Sequence, residues 1–272
     1  MGYFLRQGKR MNVATWNVNS IRTRLDHLIR WLESNPVDVL CLQETKVTDA
    51  EFPTAAIEAL GYQVYISGQK SYNGVALLSR APIETVTAGF APLLGDTVAD
   101  LDEQKRVISG VVSGVYVLNL YVPNGSEVGS DKYQYKLRWL ATLRDYLKTL
   151  LLRQPHILVC GDFNIAPEDR DIHDPTGRET RVMASDAERL ALQHAIFDLG
   201  FVDAFRQFSQ ESEFTWWDYR AAAFRRNMGW RIDHHYLSPQ LSPRAKNCLI
   251  DKAPRSWEKP SDHVPVIVEL EV

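Results

Sequence analysis

The sequence predicts an α/β protein whose functional residues gather at the ends of strands. Short apolar runs rich in β-branched residues recur along the chain, and they alternate with segments whose apolar residues are spaced three and four positions apart. Polar residues follow the apolar runs at several points. Because a sheet holds distant sequence positions at fixed separations, these polar residues are expected to form one composite site.

Strands and helices are predicted from these two kinds of segment. The apolar runs predict strands over residues 13–16, 37–42, 63–66, 75–78, 107–112, 115–122, 157–160, 232–237 and 264–269. The helical spacing predicts helices over residues 21–33, 132–152 and 184–199. Asp186 is a candidate N-cap for the last of these helices.

Length and composition favour one domain. A chain of 272 residues with 45% hydrophobic content can bury roughly three quarters of the surface that the unfolded chain exposes. The sequence has no Pro/Ser/Gly-rich linker, no low-complexity tract and no clear repeat. We therefore expect a single domain over residues 11–272, preceded by an extension over residues 1–10.

The cysteines and the apolar segments indicate neither a secreted nor a membrane protein. Cys41, Cys160 and Cys248 are widely spaced and odd in number, so we expect reduced core residues and no disulfide framework or zinc site. The first ten residues lack the apolar stretch of a signal peptide, and no run of 18 apolar residues occurs. The expectation is a soluble, cytoplasmic monomer with no membrane partner.

Net charge excludes a globally basic protein. The formal net charge of −3 and the pI of about 6.2 argue against a chromatin-like binder or a polybasic membrane protein. A polyanionic partner would require positive charge concentrated on one face. On charge alone an ordinary solvated surface is the favoured interpretation. The candidates for a basic face lie in the second half of the chain: Arg178, Arg181, Arg220, Arg225, Arg226, Arg231, Arg244, Lys246, Lys252 and Arg255.

Two segments place carboxylate and amide groups directly after apolar runs. Asp162 and Asn164 follow the run 157–160, and Gly161 between them and the run permits a tight turn. A loop Asp and Asn in an Asx-turn is the structural alternative. Glu44 ends the run 37–42, and a carboxylate is rarely buried unless it is paired or bound to a metal. The alternative for Glu44 is a solvent-facing side chain.

Two further segments add an imidazole and its possible partner. Asp262 and His263 introduce the last strand, and Pro260 and Pro265 stiffen the chain on either side of them. A surface pair is the alternative. Asp233, within a predicted strand, could accept the imidazole N–H and orient the ring for chemistry.

Taken together, these segments resemble the exonuclease III family of DNA-repair nucleases, within the larger deoxyribonuclease I-like superfamily. The resemblance extends from about residue 11 to residue 272, because the segments around Asn17, Glu44, Asp162, Asp233 and His263 occur in the order and at about the spacing of that family. Further matching stretches lie at residues 68–70, 72–78, 119–125 and 217–220.

The resemblance implies a four-layered α/β sandwich, with two central mixed β-sheets packed face to face, helices on the outside and the active site at one edge. It matches Glu44 to the principal Mg²⁺ ligand, and Asp162 to the acid that positions or deprotonates the attacking water. The metal-site candidates are Glu44, Asn17, Asp162, Asn164, Asp262 and His263. The candidates for contacts with phosphate or the DNA backbone are Tyr121, Asn164, His263, Asn124 and Arg106, with Asp233 as the partner of the imidazole.

The chemistry of these residue types is consistent with that assignment. Hydrolysis of a phosphodiester requires a deprotonated water in line with the leaving oxygen and neutralisation of the charge that grows on the phosphoryl oxygens. Carboxylates alone would repel a phosphate, so the cluster needs a divalent cation. Oxygen ligands with no Cys and few His favour Mg²⁺, or Mn²⁺ as a substitute, over Zn²⁺.

The substrate is less closely defined, since the superfamily also includes enzymes that act on lipid or RNA phosphates. Trp216, Trp230 and Ile232 align with the apolar residues of the abasic-sugar pocket in family members, although core packing is the alternative for each. The expected partner is double-stranded DNA with abasic sites, nicks or recessed 3′ ends. Met183 stands where members that incise abasic sites well have a small residue. A catalytically dead DNA-end-binding protein is the alternative of another class.

Overall fold

The computed structural model describes residues 9–272, which form two β-sheets with helices around them. The strands are β1 (Arg10–Asn17), β2 (Val39–Gln43), β3 (Gln63–Ser67), β4 (Val75–Ser79), β5 (Glu84–Ala88), β6 (Val107–Val112), β7 (Val115–Tyr121), β8 (Ile157–Asp162), β9 (Val202–Asp203), β10 (Asp233–Leu237), β11 (Ala245–Ile250) and β12 (Val266–Glu271). The α-helices are α1 (Ile21–Ser34), α2 (Thr54–Glu58), α3 (Ala91–Leu94), α4 (Asp131–Leu151), α5 (Asp186–Ala195) and α6 (Ala204–Phe208).

Both sheets of the described chain have six strands and the same internal plan. The first sheet has the order β11-β12-β1-β2-β4-β3, and the second has the order β5-β6-β7-β8-β10-β9. In each sheet the central pair is parallel, β1 with β2 and β7 with β8, while all other neighbours are antiparallel. The carboxyl ends of the central strands therefore lie together at one edge of each sheet.

The two sheets pack face to face, with helices on their outer faces. Val13 and Cys41 from the first sheet share one buried cluster with Val117 and Leu158 from the second. A separate cluster joins α1 to the outer face of the first sheet, and another joins α4 to the outer face of the second. This arrangement confirms the four-layered α/β sandwich.

The row of side chains between the sheets changes from apolar to polar at the carboxyl ends of the central strands. Along β8, Leu158 and Cys160 point into the inter-sheet core, and the alternation of a strand then directs Asp162 the same way. Just below this edge, Gln43 of the first sheet donates to Asn119 Oδ1 of the second at 2.7 Å. Asn119 in turn donates to the carbonyls of Leu42 and Ala76. A hydrogen-bonded polar layer thus joins the sheets beneath the site.

The structure also contains elements that the sequence patterns do not predict. Strands β5 and β11 lie at the sheet edges and are largely exposed, so they lack an apolar run, and β9 is only two residues long. Helices α2, α3 and α6 have four or five residues, which is too short for a helical period. The expected cap was wrong by one residue: Ser185, not Asp186, caps α5, and its side chain accepts from the Glu188 N–H.

The ends of the chain and the cysteines complete the description. Residues 1–8 of the expected extension lie outside the described residues, and β1 begins at Arg10, opposite Glu271 of β12. The three cysteines are free and buried, as expected. Within residues 9–272, no helix has both the length and the apolar character that crossing a membrane requires.

Candidate active site

Three side chains converge at the polar edge between the sheets. Glu44, Asp162 and His263 each offer a ligand atom, and these atoms all lie within 4.8 Å of one another. Asn17, at the end of β1, donates to Glu44 Oε1 and to Asp162 Oδ2, both at 2.9 Å. A single amide therefore fixes the separation of two carboxylates that come from different sheets.

The backbone after β2 turns sharply to present Glu44. Glu44 has a φ of +52°, in the left-handed region. Its second oxygen accepts from Lys46 Nζ at 2.7 Å, and Lys46 also donates to Asn19 Oδ1 at 2.6 Å. Burial opposes ionisation of Glu44, but Lys46 and the hydrogen bond from Asn17 prevail and lower its pKa. Glu44 is therefore a carboxylate at neutral pH.

The imidazole of His263 is held between two acids. Its Nδ1 lies 2.9 Å and 3.1 Å from the two carboxylate oxygens of Asp233, and its Nε2 lies 3.8 Å from Asp162 Oδ2. The backbone is held as well, because Trp16 donates to the His263 carbonyl and Ser261 Oγ accepts from the His263 N–H. Asp233 thus orients the ring so that Nε2 faces the acid cluster.

The acid cluster has the electrostatics of a cation site. Burial, with a contribution from Asp233 and Glu44, raises the pKa of Asp162 to about 7, although His263 opposes the rise. Burial lowers the pKa of His263, but Asp233 and Asp162 outweigh it and raise that pKa to about 10. A divalent cation bound here would stabilise the ionised carboxylates, and the oxygen donors of Glu44 and Asp162 fit such an ion, while His263, protonated at neutral pH, acts as a hydrogen-bond donor.

The loops after β7 and β8 place amide and phenol groups beside the cluster. Asn164 has a φ of +50°, and its backbone N–H donates to Asp162 Oδ1 at 2.9 Å. Its side-chain Oδ1 accepts from Asn124 Nδ2 at 3.0 Å, while its Nδ2 donates to the Val122 carbonyl. Tyr121 ends β7 directly opposite Asp162. Burial, followed by the charges of Glu44 and Asp162, raises the pKa of Tyr121 well above its usual value, so the phenol stays protonated.

Asp262 lies outside the cluster of ligand atoms found among residues 9–272. Its Oδ2 accepts from Trp216 Nε1 at 2.9 Å, and its Oδ1 accepts from Asn19 Nδ2 at 2.9 Å. Lys46 Nζ donates to both Asn19 Oδ1 and Glu44 Oε2, and so links Asn19 to Glu44. Asp262 therefore reaches the metal-site candidates through a chain of hydrogen bonds.

An apolar cleft of about 450 Å³ opens on the Trp216 side of the site. Trp216, Trp230 and Met183 line it, and Trp216 pairs through its backbone with both Trp230 and His263. Ile232 differs from the expectation: it is 1% exposed and packs with Met183 and Trp230 in a buried cluster. Ile232 immediately precedes β10 and supports the wall of the cleft from behind.

A second cleft, of about 510 Å³, is lined by Tyr121, Asn124 and Arg106. The Arg106 guanidinium lies over the Tyr121 ring, 4.6 Å from its centroid, and donates to the Tyr121 carbonyl. The acid cluster is thus flanked by an apolar cleft and a more polar one.

The expected basic face is smaller than the sequence suggested. Arg231 is 1% exposed and is paired with Asp171 and Asp203, so it belongs to a buried ionic network and cannot contact a polyanion. Arg255 is also buried and donates to the Trp217 carbonyl. Exposed arginines remain at the apolar cleft, which Arg181 and Arg220 line, and Arg225 and Arg226 are exposed in the segment that follows Arg220.

Lys46 and Asn19 are the polar neighbours of the cluster to which sequence reasoning gave no role. A signal was present, because Lys46 stands two residues after Glu44 and Asn19 two residues after Asn17. The left-handed backbone at Glu44, Lys46 and Asn19, which brings these side chains together, has no signature in the sequence.

The chain is similar in sequence and structure to known enzymes that act on DNA. The Endonuclease/Exonuclease/phosphatase family model matches residues 14–263. Exodeoxyribonuclease III of Haemophilus influenzae is 34% identical over 272 residues, covering 96% of this chain and all of the relative. The structures of the 3′ phosphatase NExo from Neisseria, bound to a product DNA hairpin, and of an AP endonuclease from Archaeoglobus fulgidus both superpose with a TM-score of 0.90. They are 40% and 41% identical, and each alignment covers 96% of this chain and 100% of the other. The chain is an exonuclease III-like DNA-repair nuclease and belongs to the exonuclease III / AP endonuclease family of the endonuclease/exonuclease/phosphatase superfamily.

Proposed function

We propose that the protein hydrolyses phosphodiester bonds of duplex DNA at recessed or blocked 3′ ends, at nicks and on the 5′ side of abasic sites. The observation that supports this most directly is the cluster of Glu44, Asp162 and His263, bridged by Asn17 and bordered by two clefts. The protein is proposed to act as a monomeric single domain over residues 11–272.

The family is metal-dependent, and we assign Mg²⁺, with Mn²⁺ as a substitute, to the cluster. Glu44 and Asp162 would hold the ion, with Asn17 setting their separation and Asn164 and Asp262 nearby. When bound, the ion supplies Lewis-acid polarisation and neutralises charge on the phosphate. The oxygen-rich donor set favours Mg²⁺ over Zn²⁺.

The remaining residues act on the water and the phosphate. Asp162 positions or deprotonates the attacking water. His263, oriented by Asp233, donates towards the phosphoryl oxygens, as do Tyr121, Asn164 and Asn124. Arg106 contacts the DNA backbone from the polar cleft.

The apolar cleft favours DNA over a lipid head group as the substrate. Trp216, Trp230 and Met183 form a wall against which a base-free sugar can rest, with Arg181 and Arg220 beside it to meet phosphates. The bound product DNA of the Neisseria 3′ phosphatase supports the same assignment.

A side-by-side assay tests the proposal. The protein is incubated with Mg²⁺ on an abasic duplex, a 3′-blocked nick, a 3′-recessed duplex and inositol polyphosphates. Cleavage of the DNA substrates with no phosphate released from the inositol compounds is expected. Release from inositol polyphosphates with intact DNA would indicate a lipid phosphatase, and binding to DNA ends without cleavage would indicate a catalytically dead binder.

A further inference from the structure

The fully buried side chain of Lys136 lies directly behind the loops that hold the phosphate contacts. Lys136 is on the inner face of α4 and is 0% exposed. Its Nζ donates to the Asn164 carbonyl at 2.7 Å, to the Asn124 carbonyl at 3.1 Å and to Glu188 Oε1 at 2.5 Å. An ammonium has three N–H donors, so all of them are used.

Glu188 anchors this ammonium from the other side. Its side chain is 0% exposed, and its oxygens also accept from the backbone N–H groups of Met183 and Ser185. A buried ion pair is weak evidence for stability, because desolvation of two charges offsets their attraction. A contribution to stability alone therefore does not explain why Lys136 and Glu188 are buried here.

The two carbonyls that Lys136 binds belong to the residues whose amides face each other at the site. Asn164 is held in a left-handed backbone conformation, and its Oδ1 accepts from Asn124 Nδ2. Gly125 follows at a φ of +94°, and a Cβ there would lie 3.3 Å from the Lys136 side chain. One ammonium therefore fixes the relative positions of the β7 and β8 loops.

We propose that Lys136 is a positioning residue that holds Asn124 and Asn164 in the relative positions required for contact with the scissile phosphate. The inference rests on the proposed function and adds to it a residue that touches neither substrate nor metal. Loss of the ammonium frees the two carbonyls to turn, and the two amides shift with them. Because those amides act on the phosphoryl oxygens in the transition state, the loss appears in kcat and not in duplex affinity.

The test compares two variants that break the same ion pair. Lys136→Met removes the donors to both carbonyls, and we expect kcat on a 3′-recessed duplex to fall about 10²-fold, the loss expected for a displacement of about 1 Å. Duplex affinity, measured in EDTA, should change little. Glu188→Gln is the matched control, since it discharges the pair but leaves Lys136 able to donate to Asn124 and Asn164, and its kcat should stay close to that of the wild type.

A double variant separates positioning from stability. Lys136→Met/Glu188→Gln leaves no unpaired buried charge, so its Tm should be higher than that of Lys136→Met. The double variant therefore also allows the test if Lys136→Met does not fold. The double variant should still have a low kcat. If kcat recovers together with Tm, or if Lys136→Met and Glu188→Gln lose kcat equally, Lys136 is only structural. A wild-type protein that cleaves no DNA would overturn the proposed function as well, whereas an active wild type with such variants overturns this inference alone.

Discussion

Asn17 shows how one neutral side chain sets the geometry of a charged site. Its amide donates to both Glu44 and Asp162, and its own Oδ1 accepts from the Asn19 N–H. The amide is thus held on both sides, and two carboxylates that would otherwise repel each other share one donor. Fixed groups of this kind favour catalysis, because no reorganisation is needed as charge develops.

Metal binding should release protons. Asp162, with a pKa of about 7, is partly protonated at neutral pH and must be ionised to bind a cation. Metal affinity should therefore increase as pH rises from about 6 to about 8, with about half a proton released per ion at pH 7. Calorimetric titrations of Mg²⁺ or Mn²⁺ in two buffers of different ionisation enthalpy measure this directly. A dissociation constant that does not depend on pH would refute the assigned state of Asp162.

Asp162 and His263 should affect turnover more than binding. Asp162→Asn and His263→Ala should each lower kcat by about 10²–10⁴-fold, because these groups act on the water and on transition-state charge. Affinity for uncleaved duplex should stay near that of the wild type. Single-turnover kinetics measure the rate of cleavage, a binding titration measures the duplex affinity, and circular dichroism tests whether each variant is folded. A folded variant with normal kcat would show that the assigned role is wrong.

At the scale of elements, the loop before α5 combines a functional expectation with an unusual backbone. Met183 has a φ of +74°, a conformation that favours glycine, while its N–H and carbonyl are both bonded, to Glu188 and to the Ala166 N–H. The backbone is thus fixed independently of the side chain. Met183 is 9% exposed and lines the apolar cleft.

Met183→Gly should raise abasic incision relative to removal of unblocked 3′ nucleotides. The substitution widens the cleft and relieves the left-handed strain, but it also removes a side chain that packs with Ile232 and Trp230, so the Tm of the variant is measured beside its rates. A thioether can change rotamer at little cost, so the wild type should retain weak abasic activity. Steady-state rates on the two substrates test this. An unchanged ratio would mean that Met183 is an ordinary packing residue.

Elements with an apolar period were predicted closely, and those defined by tertiary contacts were not. The strand over residues 107–112 matches β6 at both ends, because it is buried along its length. Strand β5 pairs at an edge with exposed side chains, so only its neighbour defines it. Ser185 could have been preferred to Asp186 as the cap of α5, since Ser185 and Glu188 form a capping box.

Residues of the active site that are defined only by tertiary contacts were likewise not predicted from the sequence. Acidic, amide and imidazole residues next to strands were recognisable in the sequence, because together they follow the order and about the spacing of the exonuclease III family. Lys136 was not, since a lysine on an amphipathic helix is ordinarily solvent-exposed, and only the folded chain brings Asn124, Asn164 and Glu188 to it. Arg231 is the opposite case: the sequence suggested a surface residue, but the side chain is buried in an ionic network. Composition cannot distinguish such a network from a basic surface.

At the scale of the whole molecule, a chain with a net charge of −3 must meet DNA through a local basic surface. Duplex affinity should therefore depend strongly on salt and fall by roughly 10²-fold or more between about 50 and 200 mM, because phosphate contacts release counterions. Equilibrium binding of an uncleaved duplex in EDTA, over a series of salt concentrations, measures the slope. An affinity that is flat over this range would exclude contacts with the DNA backbone.

Metal-dependent hydrolysis at the cluster of Glu44, Asp162 and His263 is tested most directly by turnover on a 3′-recessed duplex. The rate is measured for the wild type and for Glu44→Ala, each with Mg²⁺, with Mn²⁺ and with excess EDTA. The wild type should cleave with either ion and stop in EDTA, while Glu44→Ala should be slower by orders of magnitude and should respond less to added metal. Wild-type turnover in EDTA, or a Glu44→Ala variant as fast as the wild type, would contradict the assignment.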